Sequence, residues 1–181
     1  MAMNTAPNTL HTENGKRGFT LLIAIIFMSV MLSFGLTLGS LGYKQEVLAS
    51  NAIESQYAFY AADSALECAL YYAQQANLFA YNADTNQPIP SFPCDNTSPY
   101  LNPTRSYAGS GSTAVEILGY RFQLDARTPN PRCADVTVYS YQSPQAGNNN
   151  ITTYIFSQGY DVACSSVGGS RFVSRGISAH Y

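Results

Sequence analysis

Tryptophan is absent from this 181-residue chain, histidine occurs twice, and only 11% of the residues are charged. The scarcity is uneven along the chain. No Asp, Glu, Lys or Arg lies between Phe19 and Tyr43, no proline between Pro7 and Pro88, and no basic residue between Lys44 and Arg105. Each gap excludes something. Nucleophilic catalysis sets a Ser or Cys beside a base, and the only imidazoles are His11 and His180. His180 falls in a strand-like pattern and reads as an ordinary surface residue. No Gly-rich phosphate loop follows a strand, because Gly109-x-Gly111 sits in loop sequence. No cysteine pair has close metal-ligand spacing, and Asp84 and Asp95 lack the dense oxygen spacing of a calcium loop. The expectation is a chain that is not an enzyme and holds no cofactor or metal. A formal net charge of −2 also supplies no basic excess for a general nucleic-acid surface.

The charge-free gap is itself the main element. It runs for 25 residues from Phe19 to Tyr43, and a membrane-spanning helix needs roughly 20. Lys16 and Arg17 immediately before it favour a cytoplasmic N-terminus. The apolar core of a secretory signal peptide is shorter, roughly 7–15 residues, so a permanent anchor fits the hydropathy better. Without proline, nothing interrupts the backbone hydrogen bonding of a helix from Phe19 to about Gln75, roughly 85 Å long at 1.5 Å per residue. Lys44-Gln45-Glu46 marks its exit from lipid. Beyond that point apolar groups recur on two sides. One carries Ile53, Tyr57, Tyr60, Ser64, Cys68 and Tyr71, and the other Phe59, Ala62, Leu66, Leu70 and Ala73. A helix apolar on two faces contacts two things, here a globular domain and neighbouring subunits. Gly35-x-x-x-Gly39, with Gly42, matches the small-residue pattern of close helix contacts in membranes, and the same glycines permit a local break.

From about Phe79 to Thr113 the composition turns to Pro, Asn, Ser and Gly, which is loop chemistry. Glu46, Glu54, Asp63, Glu67, Asp84 and Asp95 make this half of the chain acidic, as a solvated face or as a groove for a cation or basic partner. After Thr113 the period becomes 2. Between Glu116 and Leu124, Leu118, Tyr120, Phe122 and Leu124 form one apolar face. Strand patterns follow at Val136 to Tyr141, Ile151 to Gly159 and Arg171 to Tyr181, separated by a turn-rich stretch from Ser143 to Asn150 and by Gly168-Gly169. Short turns between consecutive strands predict an antiparallel meander with one face covered, and the helix near Tyr57 to Tyr72 is the available cover. The abundance of tyrosine, 14 residues, suits half-buried packing between helix and sheet. The fold class is therefore α+β, a long N-terminal helix on a sheet of about four strands. Cys68, Cys94, Cys133 and Cys164 fall outside the cytoplasm in this topology, where disulfides persist. Four cysteines allow three pairings, and sequence order favours Cys68–Cys94 and Cys133–Cys164. Asn96-Thr97-Ser98 and Asn150-Ile151-Thr152 fit glycosylation acceptors.

The junction Lys16-Arg17-Gly18-Phe19-Thr20-Leu21 resembles the cleavage site of type IV prepilins, where a peptidase cuts after Gly and the exposed Phe is N-methylated. The resemblance implies a leader of residues 1–18, cleavage between Gly18 and Phe19, and methylation of Phe19. Without the leader the 11 acidic residues lose Glu13 and the 9 basic ones lose Lys16 and Arg17, leaving 10 and 7, a side-chain balance of −3. It divides the rest into a membrane and filament-core helix at 19–43, an amphipathic continuation at 44–78, a connecting loop at 79–113 and a sheet domain at 114–181. The fifth mature residue, a Glu in ordinary type IV pilins, is Ile23 here. That departure, with the segment from Gln56 to Glu67, is similar to PilX-type minor pilins and to the tip-capping minor pseudopilin of type II secretion. A subunit lacking the carboxylate has no such group to offer the subunit below, so a place at or near a filament tip is implied, priming assembly. The implied partners are other pilins, major and minor, the prepilin peptidase, an inner-membrane assembly platform, and the lipid bilayer before assembly. The implied location is the cytoplasmic (inner) membrane, single-pass with the N-terminus inside, and then an extracellular filament or the cell surface. Its loops would serve adhesion or substrate capture, with DNA capture among the options although no basic patch supports nucleic acid. The Cys133–Cys164 pair is similar to the C-terminal disulfide-bounded region of many pilins. From another functional class, a membrane-anchored extracytoplasmic binding domain outside any filament fits the same hydropathy.

Overall fold

A computed structural model describes residues 17–142, 152–169 and 171–181. A single helix, α1, covers Arg17–Ala76, and five strands follow: β1 (Thr104–Ala108), β2 (Val115–Leu124), β3 (Arg132–Tyr141), β4 (Thr153–Tyr160) and β5 (Ser174–His180). The strands form one antiparallel sheet in the order β1-β2-β3-β4-β5, a meander in which each strand pairs with its sequence neighbour. The class is α+β, with five strands where the sequence pattern indicates about four. The leader except Gly18 and Arg17, the turn-rich stretch 143–150 and the Asn150-Ile151 part of one glycosylation triplet lie outside the described residues. The chain divides into two units, the second being Ser50–Tyr181.

Within the second unit, α1 ends where Asn77 takes a left-handed conformation (φ 47°) and the Leu78 N–H donates to the Tyr72 carbonyl at 3.4 Å. Asn is one of the few residues that adopt this backbone at low cost. The helix meets the sheet through small side chains. Ala58, Ala61, Ala62, Ala65, Ala69 and Ala73 are buried with Leu66. Their lack of bulk lets the two backbones come close. A Cβ built on Gly159 of β4 would collide with the Ala58 carbonyl oxygen and the Ala62 nitrogen. The Ser157 hydroxyl, also buried, donates to the Ala62 carbonyl at 2.8 Å. At the start of this helical half Arg175 Nε donates to the Ser55 hydroxyl at 2.7 Å.

The inner sheet face alternates as the period-2 pattern requires. Leu118, Tyr120, Phe122 and Leu124 of β2 are buried beside Val136 and Val138 of β3 and Ile155 of β4. The connecting segment 77–103 has little regular structure but is not peripheral. Its Phe79 and Phe92 are core residues, their ring centroids 5.4 Å apart, and Phe92 lies 4.9 Å from Tyr120 and 5.1 Å from Phe122. The Tyr120 hydroxyl donates to the Pro90 carbonyl at 2.9 Å, and burial raises it above the ordinary phenol pKa.

β1 is the fifth strand and a correction to the reading of 79–113 as loop. Its inward residues are Arg105 and Tyr107. Arg105 Nε sits 2.7 Å from Glu116 Oε1, with side chains only 8% and 2% exposed. Glu116 Oε2 also accepts the Asn82 N–H at 2.8 Å, Arg105 Nη1 donates to the Gln87 carbonyl at 2.6 Å, and the Tyr107 hydroxyl donates to the Asn82 carbonyl at 2.9 Å. A strand that buries a charge against a charge leaves no apolar alternation to read.

Cys68 is bonded to Cys94, and Cys133 to Cys164. The first bond ties α1 to the connecting segment, and the second ties β3 to the short helical turn Cys164–Ser166. Cross-links spanning 26 and 31 residues restrict the unfolded chain by about 2–4 kcal/mol each. Cys94→Ser is expected to lower unfolding stability by that amount, read from the urea midpoint of the full chain in detergent micelles. An unchanged midpoint would mean that Phe79, Phe92 and the Arg105–Glu116 pair hold the segment without the cross-link.

Candidate functional site

Two exposed surfaces carry the residues singled out by the sequence. The first is the N-terminal half of α1. Phe19, Leu21, Leu22, Ile25, Ile26, Phe27, Met28, Met31, Leu32, Phe34, Leu36 and Leu38 are all exposed. The most apolar part of the helix is not buried at all, and the helix is long and apolar enough to cross a membrane. Water is a poor solvent for such a surface, so its stable environments are lipid or other apolar helices. The polar groups inside the run are satisfied locally. Ser29 donates to Ile26 O, Ser33 to Ser29 O, Thr37 to Ser33 O and Ser40 to Thr37 O, at 2.6–2.9 Å. Hydroxyls bonded to their own helix carbonyls are tolerated in hydrocarbon. Ile23, the fifth residue after the Gly18–Phe19 junction, is exposed and apolar, so no charge is buried at that level. Gly35, Gly39 and Gly42 have open space where a Cβ would stand, and α1 runs through them without a break.

The second surface is the outward side of α1 in the Ser50–Tyr181 unit. Ile53, Tyr57, Tyr60 and Tyr71, one of the two expected apolar sides, are exposed. On the other expected side Ala62, Leu66 and Ala73 are buried, whereas Phe59 is exposed. The contact extends beyond the Ala62, Leu66 and Ala73 of that side to Ala58, Ala61, Ala65 and Ala69, which are also buried. Arg132 lies over the Tyr57 ring with its guanidinium carbon 4.6 Å from the centroid.

Acidic residues of the connecting segment serve turns. Asp84 Oδ1 accepts the Asn86 N–H at 3.0 Å, and Asp95 Oδ2 accepts the Asp125 N–H at 2.8 Å. Among the described residues no three His, Cys, Asp or Glu side chains converge as metal ligands would. On the outer sheet face Arg121 grips Asp135 through Nε and Nη2 at 2.6 and 2.7 Å, and the Tyr160 hydroxyl donates to Asp135 Oδ2 at 3.1 Å. The hydrogen bond to Asp135 raises the Arg121 pKa, and burial, with the Asp135 charge, raises that of Tyr160. These three groups stitch β2, β3 and β4 together and are committed to each other.

His180 lies at the exposed end of β5, opposite Tyr154 of β4. Asn96 sits in a left-handed turn (φ 56°), and the neighbouring Thr97 hydroxyl donates to the Cys94 carbonyl at 2.8 Å. Gly109 and Gly111 form the turn between β1 and β2, which identifies that Gly-x-Gly as a hairpin connection. No protein-family model, curated protein or solved structure matches this chain.

Proposed function

We propose that this chain is a minor subunit of a type IV pilus-like filament, or of a secretion pseudopilus, assembled at or near the tip. In this reading the prepilin peptidase cuts between Gly18 and Phe19, Phe19 is N-methylated, and the apolar helix moves from the cytoplasmic membrane into the filament core beside other pilins. The observation that carries the reading is the exposed, charge-free run 19–43 beginning directly at a Lys-Arg-Gly-Phe junction. Two further features support it. The run continues in the same helix as a half faced with alanine that packs on a disulfide-tied sheet, which is economical for a subunit that has to present one side to neighbours. Ile23 replaces the carboxylate that would be offered downward, which favours the tip over a place repeated along the shaft. The exposed Tyr57, Phe59, Tyr60 and Tyr71 then contact adjacent subunits, and the domain faces outward for adhesion or substrate capture.

Intact-mass and N-terminal peptide analysis tests this on protein recovered from membranes and from sheared surface filaments. The expected result is a chain beginning at a methylated Phe19, enriched in the filament fraction. A leader retained in peptidase-competent cells overturns the reading and leaves a membrane-anchored binding domain.

A further inference from the structure

We propose that the outer face of the sheet carries a binding groove for neutral carbohydrate. One part of that face is polar, with Arg121, Gln123, Asp135, Thr137, Gln158 and Ser178 at outward positions, while Val115 and Ile117 stand opposite Tyr141 and Tyr139. Toward the end of β3 and the start of β4 it becomes aromatic. Tyr139, Tyr141, Tyr154 and Phe156 line a shallow groove of about 560 Å³, within the ~300–1,000 Å³ of small-ligand sites. All four side chains are half-buried. The β3–β4 register sets Tyr139 opposite Tyr154, and their rings stand 5.9 Å apart at 58°, an open V with both rings left accessible. Phe156 is pressed onto the backbone of β5, since a Cβ on Gly176 would come within 2.8 Å of its Cζ. The aromatic surface is therefore positioned by the sheet before any ligand arrives.

Core formation does not account for these rings. α1 covers the opposite face, where Leu118, Val136, Val138 and Ile155 already fill the interior. Charge then decides the occupant. Among the described residues no Asp, Glu, Lys or Arg lines the groove, and Arg121 and Asp135 on the same face are closed on each other. Nucleic acid and anionic headgroups require cations, and basic peptides require carboxylates. The complement to an uncharged groove of aromatic faces and hydroxyl rims is a neutral ligand with one apolar face and many hydroxyls. A pyranose ring has that character. Its C–H face stacks on the tyrosine and phenylalanine rings, and its hydroxyls meet the phenols, which carry a polar tip on an apolar body. Ser178 and His180, paired with Phe156 and Tyr154 across β4–β5, add polar groups along the rim.

The test presents the full chain, in a detergent without a sugar headgroup, to an array of neutral oligosaccharides, sialylated oligosaccharides and single-stranded DNA. Saturable binding to neutral oligosaccharides is expected, weakened at least tenfold in Tyr139→Leu and Tyr154→Leu with the urea midpoint unchanged. Leucine keeps the apolar bulk, so these variants separate lost stacking from lost folding. Tyr154→Phe, which keeps the ring, is expected to weaken binding less than threefold. The proposal is overturned if no neutral oligosaccharide binds, if the leucine variants bind as the parent does, or if DNA or sialylated chains are preferred. It is equally overturned if the leucine variants dissociate an oligomer in sedimentation, which would assign the groove to a second copy of this chain. None of these outcomes bears on leader cleavage, so this proposal and the filament reading fail separately.

Discussion

Gly159→Val is expected to destabilise the Ser50–Tyr181 unit by more than about 3 kcal/mol, at or beyond the upper end of ordinary overpacking. The reason is that the atoms met by a new side chain belong to backbone. The Ala58 carbonyl and the Ala62 N–H of α1 lie where the Cβ would stand, and a helix backbone cannot rotate out of the way as a side chain can. The helix would have to lift from β4, exposing Ala58 and Ala62 and breaking the buried bond from the Ser157 hydroxyl to the Ala62 carbonyl. Gly159→Ala introduces the same collision with less bulk and is expected to cost about 1–3 kcal/mol. Gly42→Ala is the control: its Cβ meets open space, so the unfolding stability should change by about 1 kcal/mol at most. Urea unfolding of the full chain in detergent micelles, followed by tyrosine signals of the sheet, reads all three. A wild-type midpoint for Gly159→Val would refute the close approach of α1 to β4.

Arg105→Met is expected to cost about 3–5 kcal/mol, the loss typical when one partner of a buried ion pair is removed. The variant leaves the Glu116 carboxylate, 2% exposed, with the Asn82 N–H as its remaining partner among the contacts described. It also frees the Gln87 carbonyl from its bond to Arg105, so residues 77–103 lose an anchor on the sheet. The companion Arg105→Met/Glu116→Leu removes both charges and is expected to recover most of the loss, since well-packed apolar replacements of buried pairs are often neutral. The comparison is made by urea unfolding of the two variants and the parent. A double variant as unstable as the single one would show that the pair acts by anchoring the connecting segment and not by charge compensation.

Much of this architecture is legible in the sequence because it is written as periodicity. The absence of proline between Pro7 and Pro88 and the charge-free run from Phe19 delimit α1 to within a few residues. The alternation of Leu118, Tyr120, Phe122 and Leu124 identifies the inner face of β2. What escapes has a common cause, since hydropathy registers burial only when the buried residue is large and apolar. β1 buries Arg105 against Glu116 and reads as loop. The two apolar sides of α1 are legible, but only the fold shows that the side with Ala62, Leu66 and Ala73, extended by Ala58, Ala61, Ala65 and Ala69, meets the sheet, while Tyr57, Tyr60 and Tyr71 are exposed. Phe79 and Phe92 enter the core from a segment whose proline and asparagine content marks it as surface. Four cysteines permit three pairings; sequence order favours Cys68–Cys94 and Cys133–Cys164, and those are the two bonds present.

By itself the sequence determined the long helix, its exposed apolar half, and the antiparallel succession of strands. These depend on local properties, namely backbone donors, charge and side-chain period, which a chain carries before it folds. The tertiary structure alone decided that α1 lies against Gly159 and Ser157, that Arg105 reaches Glu116, and that Tyr139 stands opposite Tyr154 to open an aromatic groove. Those facts join residues 11 (Arg105 and Glu116) to 101 (Ala58 and Gly159) positions apart, through a register and a distance of approach that arise only when helix and sheet are packed together.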